Sequence, residues 1–543
     1  MQLLAGDRRL TLLIAGRSLA MALAFCAKLP AGAERLPLAF DRNLDVEQQI
    51  ARIGPNLIVD ASGPFQVYGD DPYRVVKAAL AIGADYLDLA DGAGFVGGID
   101  RFDAEARARG VFILAGASSF SMLTAAVVRW LAKDMTGVEA IAGGIAPSPN
   151  PRAIGPNVLR AIAAYAGKPV DLLRDGRRVV GYALTESMRY TIAPPGRLPL
   201  ESRRFSLVDV PDLHVLPALW PDAASVWMGA GPVPAVLHRA FNAFAWLVRL
   251  RLLPSLAPFS AWFYRLYSFL TWGENRGGMF VAVTGSTPDS QRLERSWHLL
   301  ADGDDGPFIP SMAAAAIIRR CLDGRRPASG ARSPAADLEL ADYQPFFDGR
   351  AISHGVREAV RNGPSLPLYR RLLGDAWTSL PKPLQVMHGF SDRLAAEGIA
   401  TIERGHGLLA RAVAALIGFP AAGHDVPVRV EFARRREKEI WRRTFAGRSF
   451  TSIQAAGTGR SDKLIVERFG PFAVGLAAVV DEDRLRLVPR RWNFLGLPLP
   501  SSLLPLGESY EFAEDGRFRF HVEIGHKLTG LIVRYRGWLT PAG

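Results

Sequence analysis

The sequence predicts an α/β fold followed by a mainly antiparallel β region, and three observations predict it. Between residues 1 and 120, short wholly apolar runs alternate with helix-length segments, the pattern of a doubly wound parallel sheet covered on both faces. Between 121 and 350 that alternation stops and longer strand-like runs appear, an α+β pattern suited to a substrate or dimerisation domain. From 366 to 543, helices give way to strands with period-two alternation, punctuated by Gly, Asp and Pro, as in antiparallel sheets.

In the first region, LTLLIAG (10–16) is a strand ending in Gly16-Arg17-Ser18, with Ser18 as N-cap of a helix that runs through Leu29. Asp45 caps VEQQIARIG, and Asn56–Val59 is a buried strand followed by the turn Ser62-Gly63-Pro64. Residues 72–82 read as a helix with Pro at its start. ADYLDLADG is strand then loop, FDAEARARG is helix, and VFILAGASS is strand.

In the second region, SMLTAAVVRWLAKDM is helical, while VEAIAGGIAP, VVGYALTESMRYTI and MFVAVTGS are strands. Residues 232–273 are rich in Trp, Phe and Leu, with Arg239, Arg249, Arg251 and Arg265 interspersed, and read as two amphipathic helices around Pro254 and Pro258. Two roles fit them: a core or dimer-interface helix pair, or a contact with a membrane surface, where aromatic anchors sit beside head-group arginines. The alanine helix near 307–323 returns to the first region, and the Pro/Ser/Ala-rich stretch after it reads as linker with one short strand, giving a boundary over 351–365.

The third region, 366–543, begins with helices over YRRLLGDAWTSLPKPLQVMHG and HGLLARAVAALIGFP. The strands after them predict a curved sheet or partial barrel that encloses an apolar ligand. Trp441, Trp492, Tyr510, Phe512, Tyr535 and Trp538 are candidates to line it, with core packing as the ordinary role for such rings.

Net charge is +12 with a pI near 9.9, but the arginines are scattered. The densest group, Arg434-Arg435-Arg436-Glu437-Lys438 with Arg442 and Arg443, reads as a solvated strand edge or turn, so no nucleic-acid partner is expected. Cys26 and Cys321 exclude a disulfide framework and a Cys-x-x-Cys zinc site. Arg17 interrupts the N-terminal apolar run, which argues against a secretory signal, and no apolar run is long enough for an ordinary membrane span. A cytoplasmic protein follows, peripheral to the membrane where 232–273 makes that contact.

AGRS after the opening strand, VDASGPFQVYG, DYLDLADG and GVFILAGAS together resemble the saccharopine-dehydrogenase-like NADP-binding family. WGENRGGMFVAVTG and ADGDDGPFIP resemble the rest of its oxidoreductase-like members. LPKPLQVMHG, ERGHGLLARAVAALIGFP, EIWRRTFAG and GLIVRYRGWL resemble a domain of unknown function fused to them. The resemblance implies a Rossmann-like domain over 1–120 and an NADP-dependent oxidoreductase acting on a small, lipid-like or hydrophobic substrate. Members of the family open with a strand and a Gly-x-Gly-x-x-Gly loop, which let the backbone approach the pyrophosphate. Neither precedes AGRS here, so the expectation is a start placed too late; the alternative is a non-catalytic binding or scaffold protein that has lost the cofactor. The resemblance further implies cofactor contacts from Arg17 and Ser18, an arginine there suiting a 2′-phosphate, and from Ser62, Gly63, Pro64 and Phe65 on the nicotinamide side.

A hydride-transfer enzyme needs a proton donor or acceptor beside the reacting atom. Tyr68, Asp88, Asp91 and Ser119 stand near strand ends but have no diagnostic spacing, so the catalytic residue is left open. His388 and His406 form no metal pattern, and no nucleophile elbow or phosphate-binding Walker loop occurs.

Overall fold

The computed structural model describes residues 1–149, 155–270, 273–360 and 366–542. Thr271 and Trp272 of the amphipathic segment, and residues 361–365 of the expected linker, lie outside them. The chain divides into two compact units: one of residues 1–188, 204–297 and 301–352, the other of 189–203, 298–300 and 353–543.

In the first unit the parallel sheet comes in two pieces. Thr11–Gly16 pairs in parallel with Glu34–Ala39. The second piece runs in the order Gly330–Arg332, Phe112–Leu114, Asp85–Asp88, Leu57–Asp60, all parallel. Glu34–Ala39 was not predicted. Its sequence, ERLPLA, carries a proline and two charges, and an edge strand tolerates both. Ser18 caps helix Leu19–Ala27 by accepting from Met21 N, and Asp45 caps Val46–Ile53 by accepting from Gln48 N. The helix Ile309–Leu322 returns to the start of the chain, where Arg319 donates to the Leu3 carbonyl and Arg9 reaches Asp323 at 2.9 Å.

The remainder of this unit holds a mixed sheet in which Gly137–Ala146 pairs in parallel with Ser225–Ala230 and antiparallel with Arg276–Ser286. VVGYALTESMRYTI is not one strand: it breaks into Arg177–Tyr182 and Ser187–Tyr190 around Leu184, which has a left-handed φ of 62°. The aromatic segment forms helices Ala235–Arg249 and Ser260–Phe269, separated at Pro254 and Pro258.

The second unit is a closed barrel, not a curved sheet or partial barrel. Ten antiparallel strands run Arg393–Arg404, Gly423–Arg435, Lys438–Phe445, Arg448–Ala456, Ile465–Phe469, Phe472–Asp481, Arg484–Phe494, Ser509–Glu514, Arg517–His526 and Gly530–Pro541. The first pairs with the last, and the ring is complete. Alternation sets the inside: Val428, Val430 and Phe432 are buried while Arg429 and Glu431 face out. The hairpin at Asp515-Gly516 has positive φ at both residues, 51° and 71°, as a tight turn between right-twisted strands requires. Helices Leu368–Leu373 and Lys382–His388 cover one end, and Leu408–Ile417 lies in the connection at the other. The expected linker, 351–365, carries the strand Ile352–Val360.

Candidate functional site

In a parallel sheet the carboxyl ends of the strands open into loops that bind ligands. Arg17 and Ser18 stand at that end of Thr11–Gly16. The Arg17 side chain is exposed and meets no ion-pair or hydrogen-bond partner among the described residues. Ser18 Oγ accepts from Met21 N at 3.3 Å, so its hydroxyl caps the helix. A cation and a helix N-terminus thus share one edge, an arrangement that favours a phosphate.

Ser62, Gly63, Pro64 and Phe65 follow the strand Leu57–Asp60. Ser62 Oγ donates to Asp60 Oδ1 at 2.5 Å and lies 2.8 Å from the Tyr68 hydroxyl. Gly63–Pro64 is a cis peptide, and the Gly63 carbonyl accepts from Asn157 Nδ2 at 3.4 Å. Phe65 is buried against Tyr68 and Phe95, at ring separations of 4.6 and 5.0 Å, so its ring packs the loop. The Arg42 guanidinium lies 3.5 Å over the Tyr68 ring. Burial, reinforced by the Asp60 charge, holds the Tyr68 phenol well above its usual range, so it is a donor rather than a base.

Asp88 is fully buried, and burial pushes its carboxyl up to about 7, against hydrogen bonds from Gly116 N at 2.7 Å and Ala90 N at 2.9 Å. Asp91 is raised by burial and accepts from Gln66 Nε2 at 3.0 Å. Ser119 is buried. Sequence reading missed Asp212, fully buried, raised to about 7 by burial, and accepting from Ser121 N at 2.6 Å. Ser121 has a φ of 68°, so this contact pins a left-handed residue at the start of helix Met122–Leu131. The only signal for it is an Asp in a proline-flanked apolar helix, VPDLHVLPAL, which is a weak one.

The second concave site is the barrel interior, a cavity of about 280 Å³. Trp441, Trp492 and Tyr535 line it, whereas Tyr510, Phe512 and Trp538 do not. Trp538 instead stacks under the Arg517 guanidinium at 4.6 Å. Arg443 was expected in solvent with its neighbours and is a correction: its alternation parity turns it inward, where it donates to Ser452 Oγ at 2.8 Å and to Glu467 at 3.2 Å. Arg434 and Arg435 do end a strand at a turn, as Arg436 with its φ of 56° shows. His388 Nε2 lies 2.6 Å from Glu511, and its ring stacks on Tyr369 at 3.9 Å. Among the described residues no three side chains are grouped to hold a metal.

Residues 380–539, which span helix Lys382–His388 and nearly the whole barrel, match the family model of a domain of unknown function, DUF4166. No curated protein matches the chain. Among solved structures the chain is similar to apo saccharopine dehydrogenase (L-Glu forming) from Saccharomyces cerevisiae, at 13% identity and a TM-score of 0.45, covering 65% of this chain and 95% of that one. It is also similar to GenD2 from gentamicin A biosynthesis in complex with NAD, at 11% identity and a TM-score of 0.27, covering 65% and 89%. A third is the WlbA dehydrogenase from Thermus thermophilus in complex with NAD and alpha-ketoglutarate, at 11% identity and a TM-score of 0.25, covering 61% and 86%.

Proposed function

We propose that this chain is an NADP-dependent oxidoreductase of the saccharopine-dehydrogenase-like kind, acting on a hydrophobic small molecule. The observation that carries the reading is Arg17: an exposed guanidinium without a partner among the described residues, at the carboxyl end of a parallel strand and one residue before a capped helix. The motif pair AGRS and GPFQVYG supports it. Arg17 and the free N–H groups at the start of helix Leu19–Ala27 fit a 2′-phosphate, and Ser62, Gly63, Pro64 and Phe65 would flank the nicotinamide-side ribose. The cofactor, when bound, would supply the hydride; the protein's part is to bind and orient it.

The test is titration with NADPH and with NADH, read by tryptophan fluorescence, on residues 1–543 and on the same chain extended upstream. NADPH is expected to bind more tightly than NADH, with that preference lost by about tenfold in Arg17→Glu. Equal binding of the two cofactors, or an Arg17→Glu variant that keeps the preference, overturns the reading.

A second reading concerns residues 232–273. Trp246, Leu250, Leu252, Phe259, Trp262 and Phe269 are exposed, the last by 85%, in a segment with four arginines and no acidic residue. This favours a cytoplasmic protein that touches anionic lipid through these helices. Among the described residues no helix is long and apolar enough to cross a membrane. Co-sedimentation with phosphatidylserine vesicles at low salt, lost in Arg249→Glu/Arg251→Glu, is the expected result. No sedimentation, with twice the monomer mass by light scattering, assigns the face to a homodimer instead.

A further inference from the structure

The barrel interior has a polar floor at one end, apolar walls, and a mixed rim at the other end, where Ser509, Glu523, His526 and Thr529 join apolar residues in the lining. Strand direction fixes which end is which. The floor is the end covered by helices Leu368–Leu373 and Lys382–His388; the rim is the end with helix Leu408–Ile417 and the turns at 469–472, 494–509 and 526–530. The walls are Val428, Val430, Phe432, Leu476, Phe518 and Phe520, all buried and all facing the cavity. At the rim Leu408, Leu409, Leu416, Leu495, Leu497 and Leu528 are exposed, Leu408 by 83%. None of these six lines the cavity, whose own boundary at this end includes Val413, Ile417, Phe469, Phe472 and the exposed Leu506.

The floor carries the specificity. Glu439, Gln454 and Glu467 lie side by side on three neighbouring strands, Gln454 paired with Glu439 on one side and Glu467 on the other. Gln454 is 1% exposed and lines the cavity. Its Oε1 accepts from the Tyr369 hydroxyl at 3.0 Å, while its Nε2 has no hydrogen-bond partner. A buried amide donor left unpaired costs ~1–3 kcal/mol, and a ligand acceptor would remove that cost.

The charges around the floor decide the kind of acceptor. Arg443 is already engaged with Ser452 and Glu467, and Glu439 and Glu511 add two further carboxyl groups. A carboxylate or phosphate head group brought to Gln454 would face these carboxyls with no uncommitted cation. A neutral oxygen meets no such repulsion. The volume, about 280 Å³, lies just below the ~300–1,000 Å³ typical of small-molecule sites, which limits the occupant to one small molecule.

We propose that the barrel binds one neutral, mainly apolar molecule, an alcohol, ketone or ester, whose oxygen accepts a hydrogen bond from Gln454 Nε2 and whose hydrocarbon lies along the apolar walls toward the opposite end. The site is independent of the nicotinamide reading and stands or falls without it.

The probes are 1-decanol and decanoate, equal in chain length and different in head-group charge. Binding to the full chain is measured by calorimetry and by displacement of Nile red. Decanol is expected to bind once per chain and at least fivefold more tightly than decanoate. Gln454→Leu is expected to weaken decanol about fivefold, and Val474→Trp, which fills the cavity, to abolish its binding, with circular dichroism confirming the fold of each. Decanoate binding as tightly as decanol overturns the neutral head group. Absence of binding by both probes overturns the site. Unchanged affinity in a folded Gln454→Leu overturns the role of that residue. The comparison of the two probes on the unaltered chain needs no variant to fold.

Discussion

The parallel sheet and the barrel handle strand edges in opposite ways. Among the described residues, Thr11–Gly16 pairs only with Glu34–Ala39, and Leu57–Asp60 pairs only with Asp85–Asp88, so each presents an open side. In the barrel the strand Arg393–Arg404 is paired on both sides, and Phe472–Asp481 meets Arg484–Phe494 to complete the ring. Surfaces follow the same division. Helix Leu19–Ala27 has no charged residue, yet Leu19, Met21, Leu23 and Phe25 are exposed, Met21 by 74%. A helix apolar all round is ordinarily buried. The barrel instead turns its apolar residues inward by strand parity, so its outer wall is rich in Arg and Glu. Closure makes a sheet self-sufficient, whereas an open parallel sheet relies on whatever covers its edges and helices.

The largest expected effect tests that self-sufficiency. Ile465 is fully buried between Ala456 and Leu476. Ile465→Asp places an unpaired charge there and should cost on the order of 5 kcal/mol. Urea unfolding followed by far-ultraviolet circular dichroism should show the barrel transition lost or moved far down; a small shift would mean the ring is not cooperative.

Next comes pH, which acts on the open region. Asp88 and Asp212, both held up to about 7 by burial, bind a proton more tightly folded than unfolded. Their contribution is therefore fully present below the unfolded carboxyl range, near pH 4, and is lost as pH rises toward 7. The loss amounts to up to about 4 kcal/mol per group. Asp212→Asn should flatten that slope in unfolding measured from pH 4 to 8. An unchanged slope would assign the dependence elsewhere.

Hydrogen exchange sharpens the contrast directly. Backbone amides of Thr11–Gly16 should exchange on the order of 100-fold faster than those of Val428–Phe432, because an edge strand opens locally while a barrel strand needs the ring to open. Similar rates would erase the distinction. Smallest of all, Met21→Lys on the exposed helix face should change stability by less than about 0.5 kcal/mol while reducing self-association in light scattering. A destabilisation of several kcal/mol would show that the side chain is covered in solution.

What the sequence determined by itself is what local chemistry determines. Ser18 and Asp45 announced helix starts because a cap depends on three or four consecutive residues. Apolar runs announced parallel strands, and alternation announced the antiparallel region, because burial on two faces or on one leaves a different period. Arg17 entered as a cofactor candidate through the family resemblance of AGRS, and the structure adds that its side chain is exposed just after a strand. The edge strand Glu34–Ala39 was not, since a short strand with proline and charge has no period of its own. Closure of the barrel was decided only by tertiary structure, because pairing Arg393–Arg404 with Gly530–Pro541 joins residues more than a hundred apart in the chain. The same long-range pairing decided that Arg443 is an interior residue and that Gln454 Nε2 is buried without a hydrogen-bond partner. Parity can be read along one strand, but which face is inside exists only once the ring has closed.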